Sequence, residues 1–382
     1  MLELPLGRFR SQIFDDFADV RGIVERLLRE KQAGLVFSIL RRPTHSTLVH
    51  CLQGELWGGG DVHRLDVWLT ELTTLWAFEL AAVGELPPDG LRPRHRPERL
   101  LSIAANLELA IEPRWRVGLR PRTLVLERDA QRVELDFDEL ESGNGPLPDG
   151  VEVAHPYYSI DNGLKLACAD NNPLASFEAH PDKAGNELDL GGRTPEEWTR
   201  SLGRALELVD QHLPELAREI RLVLQTLVPV GFDAERHLSA SYAEAIGTAY
   251  VSLHPDPMTM AEALVHEFSH NKLNALWGLD RVLINAFSPL YGSPVRPDPR
   301  PLHGVMLAVH AFVPVARLYE TMLEAGHELS KRSGFEERFR QIVQGNHEGI
   351  STLLEHADPT PVGRAVLDEL EHWDRHFASV RG

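Results

Sequence analysis

The run IGTAYVSLHPDPMTMAEALVHEFSHNKLNALWG, residues 246–278, constrains the fold more than any other part of the chain. Residues 246–253 form an apolar, β-rich run of strand length, and His254-Pro255-Asp256-Pro257 ends it with turn residues. Apolar residues then recur at helical steps up to Trp277, with Gly278 as the stop. Thr259 and Glu262 have the Thr-x-x-Glu spacing of a capping box, which predicts a helix over 260–277. A strand that turns directly into a long helix makes this half of the chain α+β.

Inside that helix, His266-Glu267-Phe268-Ser269-His270 is an HExxH motif. Histidines at i and i+4 project from one helical face, so two imidazole nitrogens can reach one metal ion, with Glu267 beside them. Composition alone gives about 0.08 chance matches to this pattern, and the strand–helix context lowers that further. A third ligand has to come from downstream. The longer HExxHxxGxxH pattern fails, because Leu273 stands at its glycine and Leu276 at its third histidine. Candidates are His303 and His310, seven residues apart on one face of the next helix, and Glu320 or Glu324, either of which would complete a His₂Glu zinc site.

Between the two helices, the proline-rich segment YGSPVRPDPRPLH, residues 291–303, is stiff and extended. It holds Arg296 and Arg300, whose guanidinium forks match a carboxylate, so an anionic small molecule beside the metal is one reading. The plainer one is that they pair with the chain's own Asp and Glu.

The remaining elements are less distinctive. Helices are expected at 16–40, 61–83, 194–218, 302–329, 335–356 and 361–379, and a β-hairpin within 120–136 around residues 127–131. Thr194 is placed to cap its helix, with Pro195 at the first helical position. Short strands are expected at 151–153 and 222–228, and loop over 170–193. These patterns imply an α+β protein with a mixed N-terminal region, 1–193, that shapes a cleft for a peptide. A mostly helical, metal-binding region, 194–382, then carries a zincin-like strand–HExxH helix site.

Composition limits the partners. The 382 residues carry 39 Lys and Arg against 57 Asp and Glu, a net charge of −18, which repels nucleic acid and anionic membrane except at a local basic patch. Cys51 and Cys168 are the only cysteines, too few for a disulfide framework or a thiolate metal site. The N-terminus lacks the order of a signal peptide and no run reaches 18 uninterrupted apolar residues, so a cytoplasmic protein is expected.

Residues 249–319 add a resemblance. GTAYVSLHPDPMTMAEALVHEFSHNKL, then YGSPVRPDPRPLHGV and HAFVPVARLY, resembles the HExxH-type, 2-oxoglutarate-dependent peptide β-hydroxylases of ribosomal-peptide gene clusters, a region similar to the C-terminal domain of some radical-SAM peptide maturases. The resemblance implies that His266, His270 and His303 hold iron(II), that Arg296 or Arg300 binds the distal carboxylate of 2-oxoglutarate, and that O₂ is the oxidant. The product would be a β-hydroxylated residue in a ribosomally synthesised precursor peptide. An all-histidine set departs from the usual two-His, one-carboxylate triad of iron oxygenases. In this reading Glu267 supports the site; with zinc bound, it would be the general base of a metallopeptidase. A third possibility is a silent peptide-binding scaffold with a vestigial motif.

Other features have ordinary explanations. His45, His50 and His63, and the i, i+4 pair His372 and His376, read as solvated polar faces. His155-Pro156-Tyr157-Tyr158 is weak evidence for a cleft. Residues 92–132 hold ten Arg against five Asp and Glu, including LRPRHRPER, which reads first as a solvated face and second as a site for an acidic peptide or for single-stranded DNA, the latter thinly supported by Trp115 alone.

Overall fold

The computed structural model describes residues 12–57, 62–170, 172, 188–292 and 298–381. It is α+β, and the chain divides into two compact units. The first comprises Met1–Tyr157 with Ala167–Glu178, and the second Tyr158–Leu166 with Ala179–Gly382.

The first unit opens with helices α1 (Gln12–Arg29), α2 (Ala33–Leu40), α3 (Pro43–Trp57) and α4 (Val62–Ala82). Phe17, Val20, Val24 and Leu27 of α1 are buried, as their spacing requires, but the expected single helix over 16–40 is broken. Lys31 takes a left-handed φ of 62°, which separates α1 from α2. The second half of α4, from Leu72 to Ala82, is buried on every side. Strands β1 (Arg99–Ser102) and β2 (Leu107–Ile111) follow, then β3 (Arg116–Arg120), β4 (Thr123–Arg128) and β5 (Gln131–Asp136). The hairpin is β4–β5, with Arg128 opposite Gln131 and Asp129 at φ 52° in its two-residue turn. Helix α5 (Phe137–Ser142) and strand β6 (Val151–Ala154) complete two three-stranded sheets, β1-β2-β6 and β3-β4-β5.

The second unit is built on a five-stranded sheet. It takes in residues 158–166, N-terminal to the division at 193 expected from the sequence, because β8 pairs in parallel with β9. Its strands are β7 (Tyr157–Asp161), β8 (Leu164–Ala167), β9 (Thr226–Phe232), β10 (Ser239–Ala240) and β11 (Thr248–Leu253), in the order β10-β11-β9-β8-β7. Helices α6 (Pro195–His212) and α7 (Pro214–Val223) precede β9. The expected continuous helix over 194–218 stops at Leu213 because Pro214 cannot extend it, and α7 then occupies residues read as the start of a strand. Thr194 does cap α6, in a full capping box with Glu197.

Helix α8 (Pro257–Trp277) leaves β11 after a three-residue turn. Its cap is not the expected Thr259–Glu262 box. The helix starts one turn earlier, where the Asp256 side chain accepts from the Met258 N–H and Pro257 fills the first position. The small hairpin β12 (Leu290–Tyr291) and β13 (Arg300–Pro301) leads into α9 (Leu302–Glu324), α10 (Phe335–His356), α11 (Pro361–His376) and α12 (Ala378–Arg381). Helix α9 is long and apolar enough to cross a membrane, yet 56% of its most apolar window is buried. Leu302, Val305, Met306 and Val309 pack there with Leu273, Ile350, Leu353 and Leu367 as a core.

Candidate metal centre

Two polar fastenings seat α8 on the sheet. Asn271 is fully buried: its carbonyl accepts from the Gly247 N–H at 2.7 Å, and its amide donates to the carbonyls of Thr248 at 3.1 Å and Glu267 at 3.0 Å. Phe268 and Leu264 anchor the same helix in apolar surroundings. With its axis and rotation set, the His266 and His270 side chains share a face.

Their Nε2 atoms lie 2.8 Å apart, and the rings meet edge to face with centroids 4.3 Å apart. Two nitrogens each about 2.1 Å from one metal lie about 3 Å apart at the right angle of an octahedral site and about 3.4 Å apart at a tetrahedral zinc, so the pair is close to the spacing of adjacent octahedral positions and tighter than a tetrahedral zinc requires. Burial and the proximity of His270 bring the His266 pKa down to about 4; burial also lowers His270, against the pull of Glu267. Both rings are therefore neutral at pH 7, the form that binds metal. Phe312, on α9, closes one side with its ring 4.7 Å from His266.

Glu267 is 2% exposed, and both its carboxylate oxygens are engaged. Ser239 donates to one at 2.6 Å and Ser241 to the other at 2.7 Å. These serines, two residues apart at the edge strand β10, project to one face as strand periodicity requires. His237 lies near the same carboxylate; burial lowers its pKa to about 4, and its Nε2 is buried without a hydrogen bond.

The downstream candidates divide. His303 lies in the first turn of α9, its N–H donating to the Ala286 carbonyl at 2.8 Å and its ring against Trp277 and Phe287, centroids 4.5 and 5.2 Å away. Burial and His270 lower its pKa. Burial, with Lys272 and His270 nearby, lowers that of His310 to about 4, and its Nδ1 is buried without a partner. Glu320 faces elsewhere, both oxygens 2.9 Å from His376 Nε2. Among the described residues, no third His, Cys, Asp or Glu completes a three-donor group with His266 and His270. The two imidazole nitrogens are brought together, and the zincin-like metal site expected from the sequence is not shown.

Arg296 lies outside the described residues. Arg300 pairs with Asp298 at 3.4 Å through Nε, too poorly aligned for a hydrogen bond, and its aliphatic stem crosses Gly304 at the start of α9. Arg338 of α10 is a cation the sequence reading missed: it bonds Glu262 at 2.9 Å, one turn before His266, and its charge bears on that histidine. Tyr319 donates to the same Glu262. Nothing in the linear spacing marks Arg338, whereas the Ser-x-Ser alternation at 239 and 241 was a usable signal. Of the other histidines, His45 is not solvated but stacks on Trp76 and accepts from its indole at 3.1 Å, and His376 is bonded to Glu320; the His63 side chain lies outside the described residues.

No family model matches the chain, and no curated protein matches it.

Proposed function

We propose that the chain is an iron(II)- and 2-oxoglutarate-dependent oxygenase that hydroxylates a β-carbon of a residue in a ribosomally synthesised precursor peptide. The observation that carries this over a zinc peptidase is the state of Glu267. A peptidase base needs a carboxylate oxygen turned to the metal-bound water. Here both oxygens accept serine hydroxyls on the strand side of α8, while the two imidazoles converge without it. An oxygenase needs no such base. Glu267 then serves by fixing the rotation of α8 and placing negative charge behind the histidine pair.

In this reading His266 and His270 hold the metal, His303 is the third ligand, and Arg300 or Arg296 receives the distal carboxylate of 2-oxoglutarate. Bound iron(II) supplies the chemistry by which O₂ and 2-oxoglutarate convert a C–H bond to C–OH, with succinate and CO₂ as coproducts. Phe312 packs on His266 and Trp277 on His303, apolar rings that limit water. The peptide assignment is supported by β10, which ends the sheet beside Glu267, since edge strands accept extended peptides by backbone pairing.

The test is aerobic incubation with iron(II), 2-oxoglutarate and peptides encoded beside the gene. The expected outcome is a peptide heavier by one oxygen atom and an equal amount of succinate, both lost in His266→Ala. Two shorter peptides formed with zinc, independent of oxygen, would replace this reading with the peptidase.

A further inference from the structure

The arginine-rich stretch of residues 92–132 has no part in the metal centre, and its arrangement in the first unit implies a ligand of its own. It surrounds two adjoining concavities of about 330 and 730 Å³. Arg92, Arg94, Arg96 and Arg116 line the smaller, and Arg96, Arg114, Arg116 and Arg128 the larger, so the two form one groove joined at Arg96 and Arg116. The carboxylates in the lining are Glu127 and Asp129.

Part of this positive charge is already matched. Arg94 bonds Asp16 at 2.5 Å, and Arg114 bonds Asp149 at 2.8 Å. Arg92 comes no closer than 3.4 Å to Glu127, whose same oxygen is held by Arg132 at 3.0 Å. Arg96 donates to the Pro113 carbonyl at 2.9 Å, and among the described residues no carboxylate pairs with Arg96 or Arg116. Arg128 lies 4.5 Å over the Trp115 ring, with its Nη1 buried and unbonded. Pro93 and Pro97 stiffen the backbone on either side of Arg94 and Arg96.

We propose that this groove binds an acidic stretch of a peptide, with carboxylates received by Arg96 and Arg116. Guanidinium forks match carboxylates in bidentate geometry, and on a chain of net charge −18 an unmatched cationic groove is a place where an anionic segment gains rather than loses on approach. Nucleic acid fits less well. Trp115 is fully buried beneath Arg128, and no Phe, Tyr or Trp lines either concavity to stack a base. That the acidic stretch belongs to the peptide being hydroxylated rests on the function proposed above; the binding does not.

Fluorescence anisotropy on the full chain tests it, with fluorescein-labelled peptides of alternating Glu and Gly or Lys and Gly, and labelled single-stranded oligothymidylate. The Glu peptide is expected to bind in a salt-sensitive manner and the Lys peptide not. The double substitution Arg96→Glu with Arg116→Glu should weaken the Glu peptide at least about tenfold. Both side chains are exposed, and Arg96→Gln with Arg116→Gln, expected to weaken binding less, serves if the reversal misfolds. No binding of the Glu peptide, binding by both double variants as tight as that of the unsubstituted chain, or tighter binding of oligothymidylate overturns the proposal. Peptide binding without any 2-oxoglutarate turnover would count against the hydroxylase and leave the groove standing; turnover without binding would do the reverse.

Discussion

At the residue scale, the site is two neutral imidazoles and one fully engaged carboxylate. Glu267→Gln keeps the shape and one acceptor but removes the charge behind the pair. If Glu267 supports the metal, its affinity should fall about 10–100-fold, measured by competition with a chromophoric chelator. A peptidase base would instead leave affinity nearly unchanged and abolish cleavage. His45 shows that a histidine can be perturbed for structural reasons alone. Burial against Trp76 lowers its pKa from 6.5 to about 4, so the unfolded chain takes up the proton first. Its contribution to stability is complete above pH 6.5, is lost as pH falls from 6.5 toward 4, and amounts to at most about 3 kcal/mol. Urea unfolding followed across that window should become less pH-dependent in His45→Gln, which keeps an acceptor for the indole and does not titrate. An unchanged slope would remove His45 from the account.

At the scale of elements, α8 shows what the sequence made legible and what it did not. Apolar spacing and the Pro-Asp-Pro turn located the strand and the helix, because burial on one face is written locally. Thr259–Glu262 matches the capping motif, but Asp256 stands a turn earlier and accepts from the Met258 N–H, and Pro257 at the first position has no N–H to satisfy. Breaks such as Lys31 and Pro214 turned two expected helices into four, and α3, α5 and the strands β7 and β8 were not anticipated: β8 owes its form to β9, a parallel partner far along the chain, and α3 packs along α4. Asn271 belongs to the same class. It reads as an unremarkable helix residue, yet it joins α8 to the turn before β11. Asn271→Leu should cost about 1–3 kcal/mol by stranding the Gly247 N–H and the Thr248 carbonyl, read from thermal unfolding. It should also loosen metal binding through the rotation of α8, whereas a purely local loss would lower stability and leave affinity intact.

At the scale of the whole molecule, an acidic chain leaves positive charge without a carboxylate partner at Arg96 and Arg116 in one unit, whereas in the other Arg338, whose charge bears on His266, is matched by Glu262. The HExxH pair was readable because helical periodicity dictates it; a third donor was not, and among the described residues none joins the pair. The central claim is that His266 and His270 hold iron(II) for 2-oxoglutarate chemistry, and it can be tested without knowing the peptide. Titrate 2-oxoglutarate calorimetrically, without air, into the protein with and without iron(II). The account predicts one binding event per chain that requires iron(II) and disappears in His266→Ala and in His270→Ala; heat that is absent with iron(II), or unchanged in those variants, would contradict it.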